Sequence, residues 1–511
     1  MSAYLFGFAV QGIQKYIFET NRLREIAGGS ELVESICDQK SGLFSSCVNQ
    51  HSANKFSKEQ VMRSAAGEIR YVFKDRESCA QVVREFPKMI TQIIPGVEFS
   101  QAVAKIKNGD LQTADEEVRI RLMEQRNRNK ALPAPAWMVH ERARRTGNPA
   151  VGYRKSKYSI DKKPIDLRQQ KKYAAVENGS NRLFQKLTGK DIRNTNNYPH
   201  EMEDLVAGER GWIAVLHADG SNIGRLIMDL LKNVAVPSEH EGITYTRRDA
   251  YRLFSETLEA ATCAAAQSAF EEVIEPAWEK EGGKLPIRPV VLGGDDLTVI
   301  IRGTLALPFA HVYLRAFEEE TRRRFEHYAQ IFKVENFTEG LTAGAGIAYV
   351  KPKYPFHYAV DLAEELCSFA KKLAKKIEKD HAPSALHFHK VQSSFVTDYE
   401  DDIIPQELTD RDGRHLTAGP YFLKEQSSYY TIQQLENWIQ VLDQPRTPTG
   451  PIRNYLGTLR EDTAAAEQMR ERIVSINDGK TMNGLKLQKP FKEIDGADAT
   501  HLYDAIRLVG I

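Results

Sequence analysis

Read for its apolar and polar positions, the chain opens with a strand at 4–10, a turn at Gln11-Gly12, and a helix carrying Ile13, Tyr16, Ile17 and Leu23. Ala27-Gly28-Gly29-Ser30 reads as a break in that helix, with Ser30 able to cap the next one. A strand reaching 73 follows a small-residue turn at 64–67. A helix over 78–93, a strand over 97–106 and a polar helix over 111–129 come next.

The same order returns further along. A strand signal at 213–216 leads to the turn Asp219-Gly220-Ser221-Asn222 and a helix over 225–231. A long helix covers 249–275, with Pro276 expected to end it. Two apolar, β-branched runs at 290–301 flank Gly293-Gly294-Asp295-Asp296, which predicts a buried hairpin with Gly-Gly at its turn. A helix over 309–332, a small-residue strand over 341–350, an amphipathic helix over 359–376 and a strand over 385–389 complete the pass.

The stretch 4–18 parallels 213–228, Ala65 to Ile69 takes the place of Gly293 to Leu297, and 99–106 parallels 341–350. The expected fold class is α+β: two ferredoxin-like βαββαβ units in tandem, then a helical domain. The expected boundaries are 1–140 for a degenerate first unit, 141–208 for a basic linker, 209–395 for the second unit, and 396–511 for a C-terminal loop and helical domain. In the first unit Gln11 stands for the strand-end Asp and Gly67-Glu68 for the acidic pair, so that unit reads as a non-catalytic partner. The C-terminal helices, with Leu435, Trp438, Ile439 and Leu442 at helical spacing, carry no visible chemistry.

Composition adds limits. A chain of 511 residues with 41% hydrophobic and 27% charged residues is an ordinary globular protein of two or three domains. A net charge of +1 gives no overall field towards nucleic acid, so any basic surface is local. One such place runs from Arg142 to Lys172, where eleven Lys and Arg face only Asp161 and Asp166, with Tyr153 and Tyr158 interleaved and Tyr173 beside it. It reads either as a grip on RNA phosphates and bases or as a solvated insertion. The five scattered cysteines form no Cys-x-x-Cys pair, which argues against a disulfide framework or a zinc ribbon and fits a reducing cytoplasm. The first residues form no secretion signal, and no stretch approaches a membrane span.

The chemistry concentrates at Asp219, Asp295 and Asp296. Adjacent carboxylates at the tip of a buried hairpin repel each other and resist desolvation unless a cation neutralises them. With Asp219 they make an all-oxygen set suited to Mg²⁺ or Mn²⁺ held between carboxylates and substrate phosphates. The alternatives are a solvated turn and, for Asp219, helix capping. Gly220, Ser221 and Asn222 form a turn whose N–H groups suit phosphate, and Gly293 and Gly294 permit close approach of a nucleotide. Lys371, in the basic cluster of the 359–376 helix, is a candidate for holding a triphosphate; most lysines there read as a solvated face. His387 and His389 alternate on a strand and are not read as metal ligands.

The second unit resembles the Palm domain shared by GGDEF diguanylate cyclases, class III nucleotidyl cyclases and the large subunit of type III CRISPR effector complexes. The resemblance rests on the Gly-Gly-Asp-Asp hairpin, on Leu341-Thr342-Ala343-Gly344-Ala345-Gly346-Ile347-Ala348 and on the helix from Ala363 to Lys371. The opening Gly12 to Phe18, the pairing of two such units and the helical tail are similar to the CRISPR subunit in particular. The resemblance implies condensation of ATP into cyclic oligoadenylate for antiviral defence, switched on when the complex captures target RNA.

On that reading a 3′-hydroxyl attacks the α-phosphate of a second ATP, and pyrophosphate leaves. Two Mg²⁺ or Mn²⁺ ions would sit on Asp219 and Asp296, with Asp295 as ligand or orienter, and Lys371 would hold the β- and γ-phosphates. Guide and target RNA would be met through other protein subunits of the complex. The alternatives are a catalytically silent RNA-binding scaffold, or a stand-alone cyclase using ATP or GTP. Neither a paired His-Asp nuclease motif nor the four-cysteine module of many members is present in this sequence, so a reduced subunit without the HD nuclease is expected.

Overall fold

The computed structural model describes residues 3–65, 67–127, 139–155, 162–177, 181–190, 197–206, 211–226, 234, 236–334, 339–392, 398–477 and 479–511. Its first sheet contains β1 (Ala3–Gln11), β2 (Val61–Ala65), β3 (Glu68–Phe73) and β4 (Glu98–Ile106) in the order β2-β3-β1-β4, every neighbour antiparallel. The hairpin of β5 (Gly152–Lys155) and β6 (Lys162–Ile165) follows.

The second sheet takes β7 (Ile213–Gly220), then, beyond a small hairpin of β8 (Ser238–His240) and β9 (Ile243–Tyr245), β10 (Ile287–Gly293), β11 (Asp296–Arg302) and β12 (Ala343–Val350). Its order β10-β11-β7-β12 repeats that of the first sheet. β13 (Ala385–Lys390), parallel to β12, and the short β14 (Tyr421–Phe422) extend it. The tandem βαββαβ reading holds.

Burial explains the layers. Alternate residues of β7 face opposite ways. Ala214, Leu216 and Ala218 pack with the Arg247–Ala269 and Gly303–Phe332 helices through Phe254, Tyr313 and Phe317. Ile213 and Val215 join a second core with Phe6, Phe8 and Phe86 of the first unit and Val360 and Leu366 of the Phe356–Ile377 helix. The two units are therefore joined through one shared apolar layer, and the odd-numbered face of β7 looks towards it. On the far side of the first sheet, Leu5 and Ala104 pack on Val118 of the Leu111–Arg126 helix.

Several expectations change. Gly28 and Gly29 do not break a helix: they lie buried inside the Leu23–Cys37 helix, while the break falls after the short Ile13–Ile17 helix. The cause is tertiary. A Cβ on Gly28 would stand 1.9 Å from the backbone oxygen of Lys172, so glycine lets the Leu167–Glu177 helix lie directly against this one. Pro276 does not end its helix either: the chain widens into a π turn over Phe270–Ile274 and stays helical to Glu281.

Asp219 and Gly220 are not turn residues but the end of β7, held by the ladder to Gly344 and Ala343. The helix expected over 225–231 lies outside the described residues beyond 226. The C-terminal region is mainly helical, as read, and its Leu435, Trp438, Tyr455 and Leu502 share the core of the second unit. It also contains the hairpin of β15 (Phe491–Ile494) and β16 (Ala497–Thr500), which the sequence pattern did not reveal. Among the described residues no helix is long and apolar enough to cross a membrane.

This packing sets a graded expectation. Gly28→Ala will destabilise the protein by about 1–3 kcal/mol through the clash with Lys172. Gly29→Ala, whose Cβ would have no neighbour nearer than 3.3 Å, will be close to neutral because alanine is the better helix former. Urea unfolding of both variants checks the order, and equal effects would refute it.

Candidate active site

The site is built where β7 ends beside the tip of the β10–β11 hairpin. Gly293 pairs with Asp296, so the turn is Gly294-Asp295, one residue later than read from the sequence. Gly294 adopts φ 64°, which glycine tolerates best, and its carbonyl accepts from Thr262 Oγ1 at 2.7 Å. Leu297 pairs with Ala218 in the β11–β7 ladder, so the next position sets Asp296 beside Asp219. A Cβ on Gly220 would meet Asp295 Cβ at 3.0 Å and Ile223 Cγ1 at 2.6 Å, so this glycine gives the hairpin tip its room. Three aspartates from two separate segments thus converge. One carboxylate oxygen from each of Asp219, Asp295 and Asp296 lies within 4.8 Å of the others.

Lys371 meets this cluster from the Phe356–Ile377 helix. Its ammonium donates to the Asp219 carboxylate and, at 2.8 Å, to the Gly220 carbonyl. It reaches there because β12 is made of small residues. A Cβ on Gly344 would stand 2.3 Å from Lys371 Cγ, and one on Gly346 would stand 2.0 Å from the Ala363 carbonyl oxygen. The glycines and alanines of β12 let the helix lie low on the sheet and let the lysine pass beneath it.

The charges follow from these contacts. Burial opposes ionisation of Asp219, but the Lys371 ammonium and its hydrogen bond outweigh burial and hold that carboxyl below the usual range. Asp295 is pushed up to about 6 by burial and the Asp219 charge, and Asp296 up to about 8 by burial, Asp219 and Asp295. Hard oxygen donors under this repulsion fit a divalent cation of the Mg²⁺ or Mn²⁺ kind. Among the described residues this is the only cluster of three metal-ligating side chains.

A cavity of about 750 Å³ opens beside the cluster, between the two units. Asp296, Gly293, His217 and Thr298 line it from the second unit; Gly12, Gln14 and Glu34 line it from the first. The other expected nucleotide-contact residues divide. Ser221 Oγ is buried and has no hydrogen-bond partner, while its N–H is spent on the Thr342 carbonyl at 2.8 Å. Asn222 donates through Nδ2 to the Lys379 carbonyl at 3.0 Å. Lys371 is engaged with Asp219 and Gly220.

The sequence reading missed His217, whose Nδ1 lies 3.0 Å from Thr298 Oγ1 and which burial keeps neutral, down to about 4. Its signal was present: it lies two residues before Asp219 on a strand and so shares its face. Among the described residues the first unit has no such centre. Ala9, not Gln11, opposes Glu68 in the β1–β3 ladder and so takes the place of Asp219; the ladder register decides this. Glu68 itself is neutralised by Arg63 at 2.9 Å and Arg70 at 2.8 Å. His387 and His389 are buried, stay neutral and belong to a packed core with Tyr399.

Two ferredoxin-like units enclosing an acidic triad beside a cavity define a palm-type architecture. Residues 212–381 match the family model of Cas10/Cmr2, second palm domain. Among solved structures, a Csm1–Csm4 cassette in complex with cA3 is similar with a TM-score of 0.53 at 11% identity, covering 99% of this chain and 69% of that chain. A cassette in complex with cA4 gives 0.52 at 12% identity with the same coverage, and an apo cassette gives 0.51 at 11%, covering 99% and 70%. At these identities the likeness is one of fold. No curated protein matches by sequence. The resemblance to the palm-bearing subunit of type III CRISPR complexes is borne out at this level.

Two outcomes test the geometry. In EDTA, the contribution of Asp295 and Asp296 to stability will fall as pH rises from about 4 to about 8, because at these two groups the folded chain binds more protons than the unfolded chain across that window. Asp295→Asn with Asp296→Asn will flatten this fall, and denaturation at several pH values reads it. Separately, Gly344→Ala will push Lys371 off Asp219 and cost about 1–3 kcal/mol; a melt and a structure of the variant check both effects.

Proposed function

We propose that this protein condenses ATP into cyclic oligoadenylate at the Asp219–Asp295–Asp296 centre, as an RNA-activated subunit of a type III CRISPR effector complex. The observation that carries the reading is the convergence of three carboxylates, two of them held above their usual range, with Asp296 opening onto a cavity between the two units. The fold neighbours support the choice of substrate: cassettes of this fold are described in complex with one ATP, with pppApA and with cA4. On our reading these are a substrate, a linear dimer and a cyclic product.

Asp219, Asp295 and Asp296 would hold Mg²⁺ or Mn²⁺, which when bound would lower the pKa of the attacking 3′-hydroxyl and neutralise charge on the phosphates. The residues do the positioning. Lys371 holds the Asp219 carboxylate towards the hairpin and leaves a cation beside the place where triphosphate charge would gather. Gly293 gives a substrate close access to the β10 backbone. Walls from two units around one cavity suit a reaction that must align two nucleotides, since orientation accounts for much of the barrier lowering in such transfers. Base choice falls to residues lining the cavity, and ATP is taken over GTP from the fold neighbours.

The test is incubation with labelled ATP and Mn²⁺ or Mg²⁺, with and without the RNA-loaded partner subunits. Oligoadenylate is expected, strongest with target RNA, and excess unlabelled GTP should not compete. Asp295→Asn with Asp296→Asn will abolish product while keeping the fold, since the turn needs Gly294 more than the charges and repulsion is relieved. Undiminished product in this variant would refute the assignment.

A further inference from the structure

The sheet of the second unit carries one more polar row beside its aspartates. In the β7–β11 ladder Thr298 stands opposite His217, and Asp296 falls opposite Asp219 two positions on. Side chains two apart on a strand share a face and lie about 7 Å apart along it. The next row in the other direction, Val215 opposite Ile300, is apolar and fully buried. His217 and Thr298 are therefore the last polar groups on this face before the core, and both line the cavity between the units.

The hydrogen bond within that row fixes what it offers. Thr298 is 2% exposed, and its Oγ1 meets His217 Nδ1 at 3.0 Å. Among the described residues no other acceptor reaches this hydroxyl, so Thr298 donates and Nδ1 accepts. A neutral imidazole then carries its hydrogen on Nε2. Nε2 has no partner among the described residues, and the ring is half-buried against the cavity. A fixed N–H donor is thus presented to the cavity one row from Asp296.

Other polar groups of the cavity are spent or exposed. Glu34 is taken by Lys186 at 2.6 Å, the Ser30 hydroxyl donates to the Ile26 carbonyl at 3.0 Å, and the Gln14 amide donates to Glu364. Lys15, His357 and Asp361 are exposed. The inference rests on nucleotide condensation at the acidic centre, which sets the attacking 3′-oxygen beside Asp296. The oxygen next to it on the ribose is the 2′-oxygen, and the base lies beyond. A neutral N–H suits a hydroxyl, whereas a triphosphate calls for a cation. We infer that His217 Nε2 donates to the 2′-hydroxyl of the nucleotide that supplies the attacking 3′-hydroxyl. This contact tells ribose from deoxyribose and turns the 3′-oxygen, rather than the 2′-oxygen, towards the phosphate. Thr298 acts through His217 as a positioning residue, by fixing the tautomer.

The experiment reads binding and linkage separately. Calorimetry in Mn²⁺, on the full chain with and without RNA-loaded partner subunits, compares α,β-methylene-ATP, which cannot lose pyrophosphate, with its 2′-deoxy form. The wild-type protein should favour the ribonucleotide about tenfold. His217→Phe, which keeps a ring, should bring the two affinities together by weakening the ribonucleotide alone. His217→Gln, which keeps an N–H, should retain most of the preference. If His217→Phe misfolds, Thr298→Val, which is isosteric but frees the tautomer, should still narrow the ratio. With ATP, the product of His217→Phe should gain 2′–5′ links, read as resistance to a nuclease specific for 3′–5′ links. An unchanged ratio in a folded variant would overturn the inference, as would equal binding of the two forms by the wild-type protein. A variant that changes the choice between adenine and guanine but not between ribose and deoxyribose would overturn it too. A ratio that depends on His217 in a protein that makes no oligoadenylate would uphold the contact and sink the reaction assigned above.

Discussion

Everything at the acidic centre depends on the cost of holding three carboxylates together out of water. Asp219, Asp295 and Asp296 repel one another and are largely desolvated, so the surrounding structure has to force the approach. It does so with rigid parts. The β7–β11 ladder sets Asp219 beside Asp296, Gly220 admits the Asp295 turn, and Lys371 supplies one compensating positive charge. That lysine can reach the cluster only because β12 is built from glycine and alanine, and the small-residue strand is therefore part of the site although it touches no carboxylate.

The first unit shows the same architecture put to another use. Its strand order matches that of the second, but Ala9 replaces the strand-end aspartate and two arginines neutralise Glu68. Without the acidic cluster, it contributes a wall. Gly12, Gln14 and Glu34 close one side of the cavity that Asp296 and His217 close from the other. Cross-unit contacts keep the wall in register. Lys186 bonds Glu34 and Glu259, each at 2.6 Å, and Gln14 donates to Glu364.

The close packing of the Leu23–Cys37 helix links this wall to the basic stretch from Arg142 to Lys172. Gly28 and Gly29 bring the Leu167–Glu177 helix against it, and Glu25 on the same helix anchors Arg145 and Tyr173. The insertion is thereby fastened to the first unit by buried polar contacts, which hold its remaining cations at defined places.

The sequence by itself determined the tandem βαββαβ order, the acidic hairpin and its partner Asp219, because these are written in local periodicity, turn residues and charge. Its misreadings share one cause. Gly-Gly at 28–29 is punctuation by local rules, yet here it is the space another helix occupies. Asp219-Gly220 has turn composition, yet the ladder to β12 keeps it extended. Lys371 was picked out as a phosphate holder, and the sheet beneath it sets it instead on the Asp219 carboxylate and the Gly220 carbonyl. Neither the pairing of Ala9 with Glu68 nor the cavity between the units has any local signature, since each arises from residues far apart in the chain. Those features were decided by tertiary packing, where steric room and burial act between segments whose proximity no local pattern records.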